Sequence, residues 1–429
     1  MRRYRILAIM LVIFLFICAC EADQVTNSEP FLAAELTGSL DVALGANHNE
    51  DGSMGFRSFS LASGPLYDRL RAFIEKQSEL DIHYREINYA RNYPPLVSLD
   101  QFPDIIELVP YQVQWVLDDE LEPLEYIFPL SKWPKAYADL IERLNANSSV
   151  YLLPLKIEPL VAYYDEQVFR LLDISLPHDS WTWEDFVAAS RQLDANGYSV
   201  DIPDTFATVE PIIRGLGGAY LPPDRSMFSE FLDSEATIEA FTEYVTTLGP
   251  IYERQSTRSG HPVLGIQWPS RIYPRLLENR DLRIARLPIF PDGARHNTMF
   301  ATGIGMSSAS KNMTAAVALI EALINRDEQE LIRFVNYHGL TSKQPRYRTA
   351  PPGQLEQLLS IMEQETAVAI PSSSRKNTYP PFDEQVLLRE LSNGVYLRVF
   401  GMEHIHTALQ ELASYADSVA ASDRGNFRW

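Results

Sequence analysis

Cysteine is nearly missing from this chain. There are two in 429 residues, Cys18 and Cys20, and none after them. The body that follows therefore has no disulfide, no thiol nucleophile and no cysteine metal site. Positive charge is also scarce: 37 Lys and Arg stand against 57 Asp and Glu, a formal net charge of −20. Nucleic acids and anionic surfaces are bound by clustered Lys and Arg, so this balance argues against both. A neutral ligand such as a sugar is compatible with it, and so is a cationic one. No apolar run reaches the roughly 20 residues that a membrane-crossing helix requires. Catalytic signatures are missing too. The patterns GxSxG, HExxH and GxxxxGK[ST] do not occur, and Gly217-Gly218 is too poor for a phosphate-cradling loop. His404 and His406 are two apart in a helical stripe, so they point to different faces and read as solvated surface. Carboxylates abound, but no pair can be nominated for a glycosidase, which needs two acids about 5–9.5 Å apart.

What is present begins at the N-terminus. Arg2, Arg3 and Arg5 precede an uninterrupted apolar run, Ile6–Ala19, of 14 residues. A basic head and a core of that length read as a secretory signal peptide over residues 1–19. Ile17-Cys18-Ala19-Cys20 resembles the bacterial lipobox, which implies cleavage before Cys20 and lipidation of its thiol. Stable anchoring takes more than one acyl chain, as bacterial lipoproteins have. Residues 20–37 then read as a lipidated tether. Removing the three arginines of the leader leaves 34 basic against 57 acidic residues, near −23.

The body has no internal repeat and no low-complexity tract. Leu40, Val42 and Leu44 alternate with polar or small residues, a strand pattern, and a loop follows at 45–49. Leu66, Leu70, Phe73 and Ile74 recur at helical spacing. Residues 81–88 read as a strand, and 105–109 as a mostly buried one ended by Pro110. Strand, helix, strand and buried strand argue for an α/β lobe with a largely parallel sheet. Further on, Thr182 and Asp185 form a capping-box pattern ahead of the stripe Trp183, Phe186, Val187, Ser190 and Leu193. That spacing makes Trp183 a core residue, and Trp181 is read as structural with it. Ser234 starts a helix through Ile238, Phe241 and Val245. Amphipathic stripes recur at 316–324 and 405–419, and Gly339 suits a helix C-cap.

Five segments in order carry a resemblance: FPDIIELVPYQVQWVLDDELEPLEYI (102–127), YLLPLKIEPLVAYYDEQVF (151–169), SWTWEDFVAASRQL (180–193), GLGGAYLPPD (215–224) and GIGMSSASKNMTAAVALIEALIN (303–325). Together they resemble the extracellular solute-binding proteins of ABC importers, in their sugar-binding, maltose-binding-protein-like branch. The likeness covers roughly residues 38–420. It implies a two-lobed periplasmic-binding-protein-like α/β fold, with hinge crossovers between two mostly parallel sheets. The crossings are expected near Leu153–Glu158, near Leu264–Trp268 and around Ser308–Thr314. Residues 38–153 plus 265–311 would form lobe I, and 154–264 plus 312–429 lobe II.

Ligands of open α/β sheets sit beyond the carboxyl ends of strands, and pockets favour domain interfaces. That picks out Asn47 and His48 after the first strand and Tyr111 after the buried one. Asn47 offers both a donor and an acceptor, and Tyr111 a ring with a polar tip. The resemblance adds Glu158 at the first crossover, where a related carboxylate holds sugar hydroxyls. The competing role for Glu158 is a hinge salt bridge with nearby Lys156. It also adds Trp268 at the second crossing as a stacking ring, with Gln267 or Ser270 in its place if the alignment slips. Phe206 and Tyr379 lie in regions that carry stacking aromatics in the family.

The function this implies is a monomeric, lipid-anchored solute-binding protein on the extracytoplasmic face of the cell membrane. It would capture a sugar or oligosaccharide and deliver it to an ABC importer permease. It would use no cofactor, metal, catalytic residue or nucleic acid. The competing readings are a carbohydrate-active enzyme on a lipoprotein anchor and a sensor that presents ligand to a membrane receptor.

Overall fold

The structure is a computed structural model. It describes residues 36–45, 65–87, 102–110, 120–145, 149–203, 206–220, 227–255, 260–325, 328, 330–341, 352–371, 405–414 and 417–418. In chain order the elements are β1 (Gly38–Gly45), α1 (Pro65–Lys76), β2 (Leu80–Ile87), β3 (Ile105–Leu108), α2 (Lys135–Asn145), β4 (Leu153–Pro159), β5 (Val161–Asp165), α3 (Glu166–Leu171), α4 (Trp183–Ala195), α5 (Phe206–Gly215), α6 (Glu235–Gln255), β6 (Leu264–Gln267), α7 (Pro269–Glu278), β7 (Leu282–Ala285), β8 (Asn297–Met306), α8 (Met313–Leu323), α9 (Leu331–Thr341), α10 (Pro352–Thr366) and β9 (Ala369–Pro371). A last helix, α11, spans 405–414.

The strands form two sheets. The first has the order β2-β1-β3-β8-β4, with β9 paired to β8; the second is β6-β5-β7. Only Leu160 separates β4 from β5, so the chain passes straight from one sheet to the other. It returns through 286–296 into β8. The fold is therefore α/β and two-lobed, but the sheets are not mostly parallel. β1 runs parallel to β2 and β3, whereas β8 is antiparallel to β3 and β4. The second sheet is antiparallel throughout. The cause is the crossing itself: a chain that leaves along β4 must run back along its neighbour β8.

The lobe boundaries also differ from those expected. β6 pairs with β5, so the segment from 264 to β7 belongs to the second sheet. Helix α8 packs into the first core through Ala315, Ala316, Leu319, Ile320 and Leu323. The turn at 308–312 stays in lobe I, where Asn312 donates to the carbonyls of Thr37 and Ser39. The expected crossing around 308–314 is thus absent, and the return crossing is the approach to β8.

Alternation along β5 divides the packing. Leu160, Ala162 and Tyr164 enter a core built with α4, α5, α6 and α11. Val161 and Tyr163 face the other way, into a smaller core with α7, α9 and α10. Helix α4 begins as its sequence requires. The Thr182 side chain accepts from Asp185 N–H, and the Asp185 carboxylate accepts from Thr182 N–H at 2.9 Å. Such a cap contributes about 1 kcal/mol. Trp183 then stacks between Phe186 and Phe290, with ring centroids at 5.4 and 5.7 Å. Trp181 is buried beside them and donates to the Arg286 carbonyl.

Gly339 is not a C-cap. Helix α9 continues through it to Thr341 and lies against β4, the edge strand of the first sheet. A Cβ at Gly339 would sit 2.6 Å from the Ile157 carbonyl oxygen, so only glycine permits this approach. Asn336 Nδ2, one turn earlier, donates to that same oxygen at 3.2 Å. The helix thereby lies against the edge strand and satisfies one of its carbonyls.

Candidate functional site between the two sheets

The carboxyl ends of β1, β3 and β4 lie on one edge of the first sheet. The carboxyl ends of β6 and β7 face the same crossing region, because both run antiparallel to β5 as it leaves. Strand ends from both lobes therefore meet around the two crossing strands. This is the location that sheet topology favours for a ligand.

Hydrogen bonds lock the crossing strands together. Asn297 is fully buried; its Nδ2 donates to the Leu160 carbonyl at 2.9 Å, and its Oδ1 accepts from Leu160 N–H at 3.2 Å. The same Nδ2 donates to Glu365 Oε2 at 2.7 Å, and Glu365 Oε1 accepts from Arg286 Nε at 2.8 Å. Burial pushes the Glu365 carboxyl above its ordinary range, against the pull of Arg286 and Asn297. On the next residue, Thr298 Oγ1 donates to the Ala207 carbonyl at 2.8 Å. That bond seats the first turn of α5 on β8.

Two predicted contacts come together here. Glu158 is buried on β4 opposite Phe300 of β8, and its Oε1 accepts the backbone N–H of Ser270 at 2.6 Å. Ser270 is in the first turn of α7, where free amides and the helix dipole favour a carboxylate. Trp268 is the N-cap residue of that helix. It is half-buried, packs against the second core, and its N–H donates to Gln267 Oε1 at 3.0 Å. Glu158 therefore lies under the turn that presents Trp268. Lys156, whose hinge salt bridge is the competing role for Glu158, pairs with Glu107 at 3.0 Å. Phe206 opens α5, directly before the Ala207 carbonyl held by Thr298. Asn47, His48, Tyr111, Tyr379 and Cys20 lie outside the described residues.

Sequence reading missed the buried polar residues that organise this region: Glu107, Asn297, Thr298, Thr302 and Glu365. Only Glu107 left a signal, as a carboxylate inside the apolar run Ile105-Ile106-Glu107-Leu108-Val109. Beside it, His338 of α9 is buried edge-on to Tyr67, with centroids 5.9 Å apart. Burial, aided by the nearby charges of Lys156 and Arg69, holds the His338 imidazole well below its ordinary pKa, so it is neutral.

Comparison with known proteins places this architecture. The sequence profile of the family described as bacterial extracellular solute-binding protein matches residues 103–330, just over half of the chain. No curated protein shows significant sequence similarity to it. Among solved structures, an ABC substrate-binding protein from Listeria monocytogenes in complex with cycloalternan is 16% identical. It aligns over 90% of this chain and 100% of its own, with a TM-score of 0.60. The cyclic α-maltosyl-1,6-maltose binding protein of Arthrobacter globiformis is 14% identical, over 90% and 99%, with a TM-score of 0.60. UgpB from Mycobacterium tuberculosis, in complex with glycerophosphocholine, is 14% identical over the same shares, with a TM-score of 0.62. These likenesses show the fold. With more than half its length matching the family profile, and with two sheets joined by crossing strands, the chain belongs to the bacterial extracellular solute-binding protein family.

Proposed function

We propose that this protein captures a sugar or oligosaccharide in the cleft between its lobes and delivers it to the permease of an ABC importer, while a lipid on Cys20 holds it at the extracytoplasmic face of the membrane. The observation that carries this reading is the meeting of strand ends from both sheets around β4–β5 and β8. A ligand there touches both lobes only when they close, so its extra contacts shift the hinge equilibrium toward the closed form. No bond is made or broken. Of the three structures compared above, one is in complex with cycloalternan and another is named for binding cyclic α-maltosyl-1,6-maltose, which favours a carbohydrate here.

Trp268 is the contact best supported by its placement: a half-buried ring at a strand end, next to the crossing. Its face suits the C–H surface of a sugar. Glu158 supports that ring by holding Ser270 in place. Asn47, Tyr111, Phe206 and Tyr379 complete the proposed set on the strength of the family resemblance.

The test is a panel of sugars against the mature, tag-free chain, followed by thermal melting. A true ligand at a hundred times its Kd adds about 2.7 kcal/mol of stability. Recovery of that ligand unchanged supports a binder, and turnover indicates an enzyme. A panel that shifts nothing contradicts the carbohydrate reading.

A further inference from the structure

A fully buried carboxylate sits where an all-apolar strand would serve packing alone. Glu107 is on β3 with 0% exposure, between Ile106 and Leu108. Its Oε1 accepts from Thr302 Oγ1 at 2.5 Å, on the return strand β8. Lys156 Nζ, on the outgoing strand β4, lies 3.0 Å from the same oxygen and 3.2 Å from Oε2. Oε2 also accepts the backbone N–H of Gly45 at 2.8 Å. Gly45 is the last residue of β1, and its carbonyl accepts from Tyr67 Oη at 3.1 Å.

One side chain therefore binds three strands at once. Two of them carry the chain between the lobes, and the third ends at the edge beyond which a ligand would lie. Hydrophobic residues could fill this space without fixing one strand against another. A charged pair with short bonds specifies a single arrangement, the use best attested for buried ionic groups.

We propose that Glu107 is a positioning residue for ligand binding, which ties the carboxyl end of β1 to both crossing strands so that the binding edge of lobe I and the hinge keep one fixed relation. The ligand half of this inference rests on the function proposed above; the structural half does not.

The test uses the full mature chain and two variants, Thr302→Val and the paired Glu107→Gln/Lys156→Met. The paired variant removes both charges together and is expected to melt within a few degrees of the parent. Amide exchange followed by mass spectrometry should be at least tenfold faster in peptides over 40–45, and unchanged over 161–165. Affinity for the sugar identified with the parent should fall at least tenfold. Thr302→Val should move both readouts the same way by less, and it carries the test if the paired variant does not fold. Parental exchange over 40–45 overturns the tie. Parental affinity despite faster exchange overturns the positioning role. If no sugar binds the parent, the proposed function fails, and the exchange measurement decides the tie by itself.

Discussion

Lys156→Met should lower the unfolding free energy by about 3–5 kcal/mol, read as a lower denaturant midpoint at unchanged slope. Lys156 is 7% exposed, and its partner Glu107 is 0% exposed. Removing the ammonium takes away the positive charge that lies 3.0 Å from this buried carboxylate. Thr302 Oγ1 and Gly45 N–H still donate to it, but neither carries a full charge. Methionine fills much the same volume as the lysine stem, so lost packing contributes little. The cost is thus the loss of that ion pair in a buried place, and it has a sharp control. Adding Glu107→Gln to the same variant should recover most of the loss, because a pair removed together leaves no orphan. A single variant as stable as the parent would mean that the pair contributes nothing.

Trp268→Ala is expected to weaken ligand binding by at least about 2 kcal/mol, a factor of roughly 30, the scale of a buried aromatic hot spot. The ring is half-buried at the start of α7, so its removal should leave the fold intact. Phenylalanine there keeps a stacking face and should lose much less. Isothermal titration with the sugar found by the panel reads both. An alanine variant that binds like the parent would place the stacking ring elsewhere.

Local order was largely legible in the sequence, and long-range order was not. The alternation at Leu40, Val42 and Leu44, the run at 105–109 and the Thr182–Asp185 box each gave an element within a residue or two of its place. These signals are complete within one segment. A glycine after Tyr337-His338 looks the same in sequence whether it ends a helix or lets one approach a strand; Ile157, 182 residues away, decides which. The sense of β8 was hidden for a similar reason. Its ten residues show no regular alternation of apolar and polar positions, and only its pairing with β3 and β4 makes the sheet mixed.

The site divides in the same way. The resemblance nominates Trp268 and Glu158, and the structure brings Glu158 to the first turn of the helix that Trp268 caps, through Ser270. Lys156 is the nearest cation to Glu158 in sequence, two residues before it. It turns instead to Glu107, 49 residues earlier in the chain. Asn297 and Glu365 gave no signal, since an Asn and a Glu are ordinary residues until Leu160 and Arg286 are brought against them.

The most direct test is whether ligand draws the lobes together. No cysteine follows Cys20, so Ala136→Cys on α2 and Arg191→Cys on α4 would carry the only two spin labels of the mature domain without its lipid site. Both positions are exposed, one on each lobe. With the sugar that raises the melting temperature present at saturation, the pulsed-EPR distance distribution should move to a shorter, narrower peak. The same distribution with and without that sugar would contradict capture by closure.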